Sequence, residues 1–180
     1  MSYQAAVLDK AGDAEYKQVQ TRMAHIPDLS TCGYLPASDG LSFVAIGWLE
    51  AGQDFAQGNV SEEFFARLCA LLQQPWQPPV ACGGIHPCTL CRFSVGRAQS
   101  SIKNYFFDGV GRGFLFVPSG ETLFISPTSV AHYIDAHGYF PPVEFQQAIV
   151  NCPEMPSQEY MRALLATPVV EWLRRLRVAS

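Results

Sequence analysis

Residues 82–91, CGGIHPCTLC, bring three cysteines and one histidine into ten positions of a chain that has six cysteines and four histidines in 180 residues. The stretch ends in a CxxC pair, Cys88 and Cys91. Two intervening residues let both sulfurs of a tight turn point at one ion. Gly83 and Gly84 permit the sharp backbone path that such a turn needs. The stretch therefore predicts a metal-binding knuckle.

A second donor pair lies farther along the chain, in HYIDAHG. His132 and His137 have four residues between them, a spacing found on the helical side of zinc fingers. On an ideal helix, side chains five residues apart differ by about 140° in direction, so the pair converges best if His137 lies on a loosened last turn. Gly138 follows directly and favours such a helix end. We therefore expect a zinc ion, Zn²⁺, bound by Cys88, Cys91, His132 and His137.

The knuckle offers more candidate ligands than a tetrahedral zinc can use. His86 lies two residues before Cys88 and is the reserve ligand, either as a fourth donor or as a hydrogen-bond partner of one. Cys82 is separated from the pair by two glycines and is a weaker candidate. The sequence leaves open whether either residue replaces one of the four.

Two simpler interpretations compete with the metal site. Buried cysteines are common as small apolar residues, and a histidine can lie on a helix without binding anything. A CxxC can also be a redox pair, but a thioredoxin-like pair opens a helix after a strand. Here the pair follows Pro-Pro and Gly-Gly and precedes RFSV. Two donor pairs at matching spacing favour zinc.

The pattern around the knuckle predicts an α+β fold, with a small antiparallel β-sheet followed by a helical C-terminal half. Ser61 is expected to cap one helix, and Ser126 with Pro127 to open the helix that carries both histidines and ends at Gly138. Expected strands are 41–50, 92–96, 113–118 and 122–126. Expected helices are 62–73, 127–137 and 143–151, with one or two more over 157–166 and 168–179. We expect an irregular lead-in over 1–26 and a single zinc-stabilised domain over 27–180.

Composition sets the class of protein. Apolar residues make up 48% of the chain and charged residues 16%, so a folded domain is expected. The net charge is −4, so the chain has no overall positive charge that would attract nucleic acid. The first residues show no apolar run of signal-peptide length, and no stretch reaches about 18 apolar residues. We expect a cytoplasmic protein with reduced thiols and no membrane partner.

The chain resembles an uncharacterised family of small bacterial proteins over roughly residues 27–166. The resemblance is carried by GIHPCTLCRF (84–93) and HYIDAHGYFPPVEF (132–145), which contain HxCxxC and HYxxxHxYxPP blocks. PDLSTCGYLP (27–36) and AIGWLEAGQDFAQG (45–58) extend it. The family has no established activity, so the resemblance supports the ligand set and implies no function. Cys32, Cys69 and Cys82 do not look like part of the HxCxxC and HYxxxHxYxPP pattern.

A closed shell of two thiolates and two imidazoles favours a structural zinc, because a catalytic zinc keeps an open position. PCTLC (87–91) matches half of a nucleobase deaminase signature, but no HxE occurs in the chain. We therefore expect no catalytic residues and a non-catalytic protein-interaction module, for which a toxin-neutralising immunity protein is one example. The alternatives are a hydrolase-like enzyme with an open zinc position and a nucleic-acid-binding zinc protein using Arg174, Arg175 and Arg177.

Overall fold

The computed structural model describes residues 25–33, 35, 40–78, 88–91, 101–102, 105–106 and 113–178. Several expectations lie outside these residues: nearly all of the lead-in over 1–26, the strand at 92–96, and the surplus candidate ligands Cys82 and His86.

Short strands come first and most helices follow in the C-terminal half. The strands in the described part of the chain are β1 (Phe43–Ala45), β2 (Ser101–Ile102), β3 (Tyr105–Phe106), β4 (Phe114–Ser119) and β5 (Thr122–Pro127). The helices there are α1 (Glu62–Gln73), α2 (Val130–His137), α3 (Val143–Asn151), α4 (Gln158–Leu165) and α5 (Val169–Val178). This arrangement confirms the α+β class. None of these helices combines the length and apolar character that crossing a bilayer requires.

The central sheet has the strand order β1-β5-β4. The hairpin β4–β5 is antiparallel, with Phe116 opposite Ile125, as expected. β1 pairs with β5 in parallel, with Val44 opposite Phe124, so the sheet is mixed and not purely antiparallel. A parallel pair needs a long crossover connection, and the stretch between β1 and β5 contains helix α1.

The apolar run 41–50 forms a shorter strand than expected. Only Phe43–Ala45 pairs along β5, because the backbone leaves the strand at Gly47, where φ is 71°. A Cβ atom at this position would lie 3.2 Å from Cγ2 of Val130 and 3.4 Å from Cε1 of Tyr139. Glycine therefore serves two needs here, a left-handed backbone and close packing against the segment that carries the histidines.

Asp28 connects Gly47 to Tyr139 through two hydrogen bonds. Its Oδ1 accepts a hydrogen bond from the Gly47 amide at 2.8 Å, and its Oδ2 accepts one from the Tyr139 hydroxyl at 2.7 Å. Burial, together with the charge of Asp28, raises the pKa of Tyr139, so the phenol remains a donor. The segment directly after α2 is thus anchored in the core.

Replacing Gly47 by alanine tests this packing. We expect Gly47→Ala to lower the free energy of unfolding by about 2–3 kcal/mol, because a left-handed alanine costs about 1–2 kcal/mol and its methyl group crowds Val130. Gly120→Ala is the control: φ is 60° in the β4–β5 turn, with open space around the Cβ position. Urea denaturation of both variants measures the difference, and equal losses would show that packing at Gly47 contributes nothing.

The helix starts were predicted with mixed success. Ser61 caps α1 as expected, its hydroxyl accepting a hydrogen bond from the Phe64 amide at 3.2 Å. The prediction that Ser126 and Pro127 open α2 was wrong, because both residues belong to β5 and pair with β4. The strand ladder outweighs the local capping preference at this position, and α2 begins at Val130.

Helices α4 and α5 pack against the sheet through large aromatic side chains. The Trp172 ring of α5 is fully buried, 6.0 Å from the ring centroid of Phe43 and 6.2 Å from that of Phe116. Tyr160 of α4 is also fully buried and donates its hydroxyl to the Phe116 carbonyl at 2.9 Å. The C-terminal helices therefore share one apolar core with β1 and β4.

Candidate metal centre

In the CxxC knuckle, residues 88–91, one cysteine is buried and the other is half-buried. Cys88 is only 4% exposed, whereas Cys91 keeps partial contact with solvent. Between them, the Thr89 hydroxyl accepts a hydrogen bond from the Ala51 amide at 3.0 Å. The knuckle is thereby attached to the loop that follows β1.

The two histidines lie on α2, His132 near its start and His137 as its last residue. His132 is buried and His137 half-buried, with ring centroids 5.1 Å apart. Gly138 ends the helix in the left-handed conformation expected for it, with φ 65°. The Tyr139 amide then reaches back six residues to the Tyr133 carbonyl at 3.1 Å, where a regular helix would reach back four. This loosened last turn lets the two imidazoles converge.

The structure brings the four predicted side chains together. Sγ of Cys91 lies 3.2 Å from Nε2 of His132 and 3.3 Å from Nε2 of His137, and Sγ of Cys88 lies 3.3 Å from the same His137 nitrogen. All four donor atoms fall within 4.8 Å of one another. Tetrahedral zinc with Zn–S of about 2.3 Å and Zn–N of about 2.0–2.1 Å separates sulfur from nitrogen by about 3.6 Å. These three sulfur–nitrogen distances thus lie within a few tenths of an ångström of that spacing.

The contacts converge on one point instead of forming separate pairs. Cys91 contacts both imidazoles, and His137 contacts both sulfurs. Each Nε2 can carry at most one proton, so hydrogen bonding alone cannot use all these contacts fully. Four donors around one cation would use all of them, which makes the cluster a candidate metal-binding site.

Burial favours the uncharged forms of Cys88, His132 and His137. It raises the pKa of the Cys88 thiol to about 11. Burial also lowers the pKa of His132, with a further lowering from the charge of His137, and burial alone lowers the pKa of His137. Neutral imidazoles are the form that binds metals, and a cation at the centre favours loss of the thiol protons.

Three further described residues with possible donor atoms, Asp135, Cys32 and Cys69, do not join the cluster. Asp135 lies between the histidines in the sequence, but its side chain is exposed and outside the group of donors. Cys32 and Cys69 lie in the apolar core.

The sequence did not predict the hydrogen bond between Ala51 and Thr89, although both residues belong to blocks that carry the family resemblance. Tyr139 was missed as an anchor as well, and its place in the HYxxxHxYxPP block was the available signal.

The sequence profile of a family described as a domain of unknown function, DUF7919, matches residues 24–150. That span includes all four donors, β1 and the loop attached to the knuckle. Neither a curated protein nor a solved structure matches the chain.

Proposed function

The chain belongs to the DUF7919 family, and we propose that its Cys88, Cys91, His132 and His137 bind one zinc ion in a structural, non-catalytic site. The observation that carries the proposal is the convergence of two sulfurs and two imidazole nitrogens on one point. The ion would join the knuckle to α2 and so connect two segments that are distant in the sequence. Structural zinc of this kind contributes directly to folding free energy.

The four donors favour a structural zinc site over a catalytic one. Two thiolates and two imidazoles would fill all four positions of a tetrahedral zinc, leaving none for water or substrate. Within the part of the chain that the structure describes, no carboxylate joins the cluster to act as a general base. A cavity of about 540 Å³ beside α2 is lined by Ser61, Glu62 and Asp135 among others, and none of the four donors lines it. This separation supports a site that holds the fold.

Metal analysis of the purified protein tests the proposal, followed by substitution with Co²⁺. We expect one metal ion per chain and the intense visible absorption of tetrahedral cobalt with thiolate ligands. Added cyanide or imidazole should leave this spectrum unchanged, because a closed shell has no exchangeable position. A spectrum that shifts with these ligands would favour the open-zinc enzyme, and absence of metal would contradict the proposal.

Acid should release the ion. Thiolates and neutral imidazoles bind metal only in their deprotonated forms, so protons compete with zinc and affinity falls as the pH falls. We expect metal loss and a drop in thermal stability to occur together when the pH is lowered below 7. A colorimetric chelator follows the release, and full retention of zinc at about pH 3, where protons should outcompete zinc for thiolates and imidazoles, would contradict the assignment.

We extend the proposal to a role in protein contacts, with a neutralised toxin as one kind of partner. Nucleic acid is less favoured, because Arg175 and Arg174 lie 3.2 and 3.9 Å from Glu171 of their own helix, which offsets part of the basic patch. Gel filtration with proteins encoded by adjacent genes tests the extension: a stable stoichiometric complex supports it. Salt-sensitive retention on nucleic acid, without any protein complex, would contradict it.

A further inference from the structure

The exposed loop at residues 51–58, AGQDFAQG, is held at each end by a segment that carries metal donors. At its start, the Ala51 amide donates to Oγ1 of Thr89 at 3.0 Å. Thr89 lies directly after Cys88, so coordination of the two sulfurs would fix its hydroxyl in place. The preceding residue, Glu50, accepts a hydrogen bond from the His25 amide at 3.1 Å, which connects the start of the loop to the segment that contains His25.

The other end of the 51–58 loop pairs with the residues that follow His137. The Phe140 amide donates to the Ala56 carbonyl at 2.8 Å, and the Gly58 amide donates to the Gly138 carbonyl at 3.0 Å. A Cβ atom on Gly58 would lie 3.0 Å from Cδ2 of Phe140, so glycine permits this close approach. The pairing is tight along the whole end of the loop.

The two ends differ in what supports them. The far end rests on Tyr139, which is fully buried and hydrogen-bonded to Asp28, and whose ring lies 6.3 Å from that of Phe55. Core packing therefore maintains that end without help from an ion. At the near end, the Gln53 amide donates to the Glu50 carbonyl at 3.2 Å. The hydrogen bond from Ala51 to Thr89, an exposed contact, joins this end to the knuckle.

We propose that metal occupancy controls the near end of the 51–58 loop, with Thr89 as the positioning residue that transmits it. The inference rests on the proposed zinc site. With the ion bound, the knuckle holds residues 51–54 in one arrangement, in which the side chains of Gln53 and Asp54 face solvent. Without the ion, the knuckle releases Ala51, and residues 51–54 become mobile while 56–58 remain paired. The loop thus presents a polar surface that depends on the metal.

Amide exchange measured by NMR on the full chain, zinc-loaded and after removal of zinc with a chelator, tests the inference. Removal of zinc should accelerate exchange of the Ala51 amide more than that of the Gly58 and Phe140 amides, and equal acceleration at all three would overturn the inference. Thr89→Ala and the matched control Thr89→Ser are compared in the zinc-loaded form. We expect Thr89→Ala to keep one zinc per chain, while exchange of the Ala51 amide accelerates by about 5- to 10-fold, as for loss of one ordinary hydrogen bond. The amides of Gly58 and Phe140 should exchange at parental rates. Thr89→Ser retains the acceptor oxygen and should behave as the parent at all three positions.

The same measurements separate a failure of the loop inference from a failure of the zinc site. If zinc stays bound and the Ala51 amide exchanges equally fast in the parent and in Thr89→Ala, the inference is overturned and the zinc site stands. Loss of zinc from Thr89→Ala would also overturn it, since the hydroxyl would then support the ligands and not the loop. If the parent protein binds no zinc at all, the proposed function itself fails.

Discussion

Cys88→Ser should release the metal ion and lower the midpoint of thermal unfolding by about 10 °C or more. Binding of a structural zinc can supply about 10–16 kcal/mol at neutral pH in small zinc domains, and that energy is folding energy. Loss of even about 4 kcal/mol corresponds to about 8–16 °C in a chain of this size. His132→Ala should behave alike, because both residues contribute donors to the same cluster.

Asp135→Ala is the matched control for these ligand variants. The residue lies on α2 between the histidines but is exposed and outside the donor group. Its replacement should retain one metal per chain and change stability by no more than about 0.5 kcal/mol. Metal analysis and thermal unfolding followed by circular dichroism measure both quantities. A Cys88→Ser protein as stable and metal-loaded as the parent would show that the ligand assignment is wrong.

Trp172→Ala should lower the free energy of unfolding by about 3–5 kcal/mol, the usual cost of removing a large buried aromatic side chain. Trp172 is fully buried and contacts the rings of Phe43 in β1 and Phe116 in β4. Its helix, α5, lies beyond residues 24–150, the span of the family match. The variant therefore tests whether this helix is part of the same cooperative unit as the sheet.

Urea denaturation at a temperature where the variant remains folded measures this loss. Leu165→Ala is the control, because Leu165 of α4 is 55% exposed and its truncation should cost little. The folded Trp172→Ala protein should still bind one metal ion, which separates core packing from ligand loss. A change below about 1 kcal/mol would mean that α5 contributes little to the packing of the sheet.

The sequence predicted the four candidate donors because their signal is local. Two short motifs, each with its own spacing, needed only to meet in space, and Gly138 indicated how the second could bend inward. The cap at Ser61 was predictable for the same reason, since a capping hydrogen bond joins residues three positions apart.

The parts that were not predicted depend on partners distant in the sequence. The parallel pairing of β1 with β5 is set by packing across the whole core, and alternation within either strand contains no information about it. Ser126 and Pro127 have the composition of a helix start, but the β4 ladder holds them in a strand. The hydrogen bond from Ala51 to Thr89 likewise joins two loops whose contact no local pattern indicates.

X-ray absorption at the zinc edge of the purified protein counts the ligand atoms around the ion and so tests the assignment of Cys88, Cys91, His132 and His137. We expect one zinc per chain with two sulfur neighbours at about 2.3 Å and two nitrogen neighbours at about 2.0–2.1 Å. A protein that carries no zinc, or a zinc surrounded by oxygen neighbours without sulfur, would contradict this assignment.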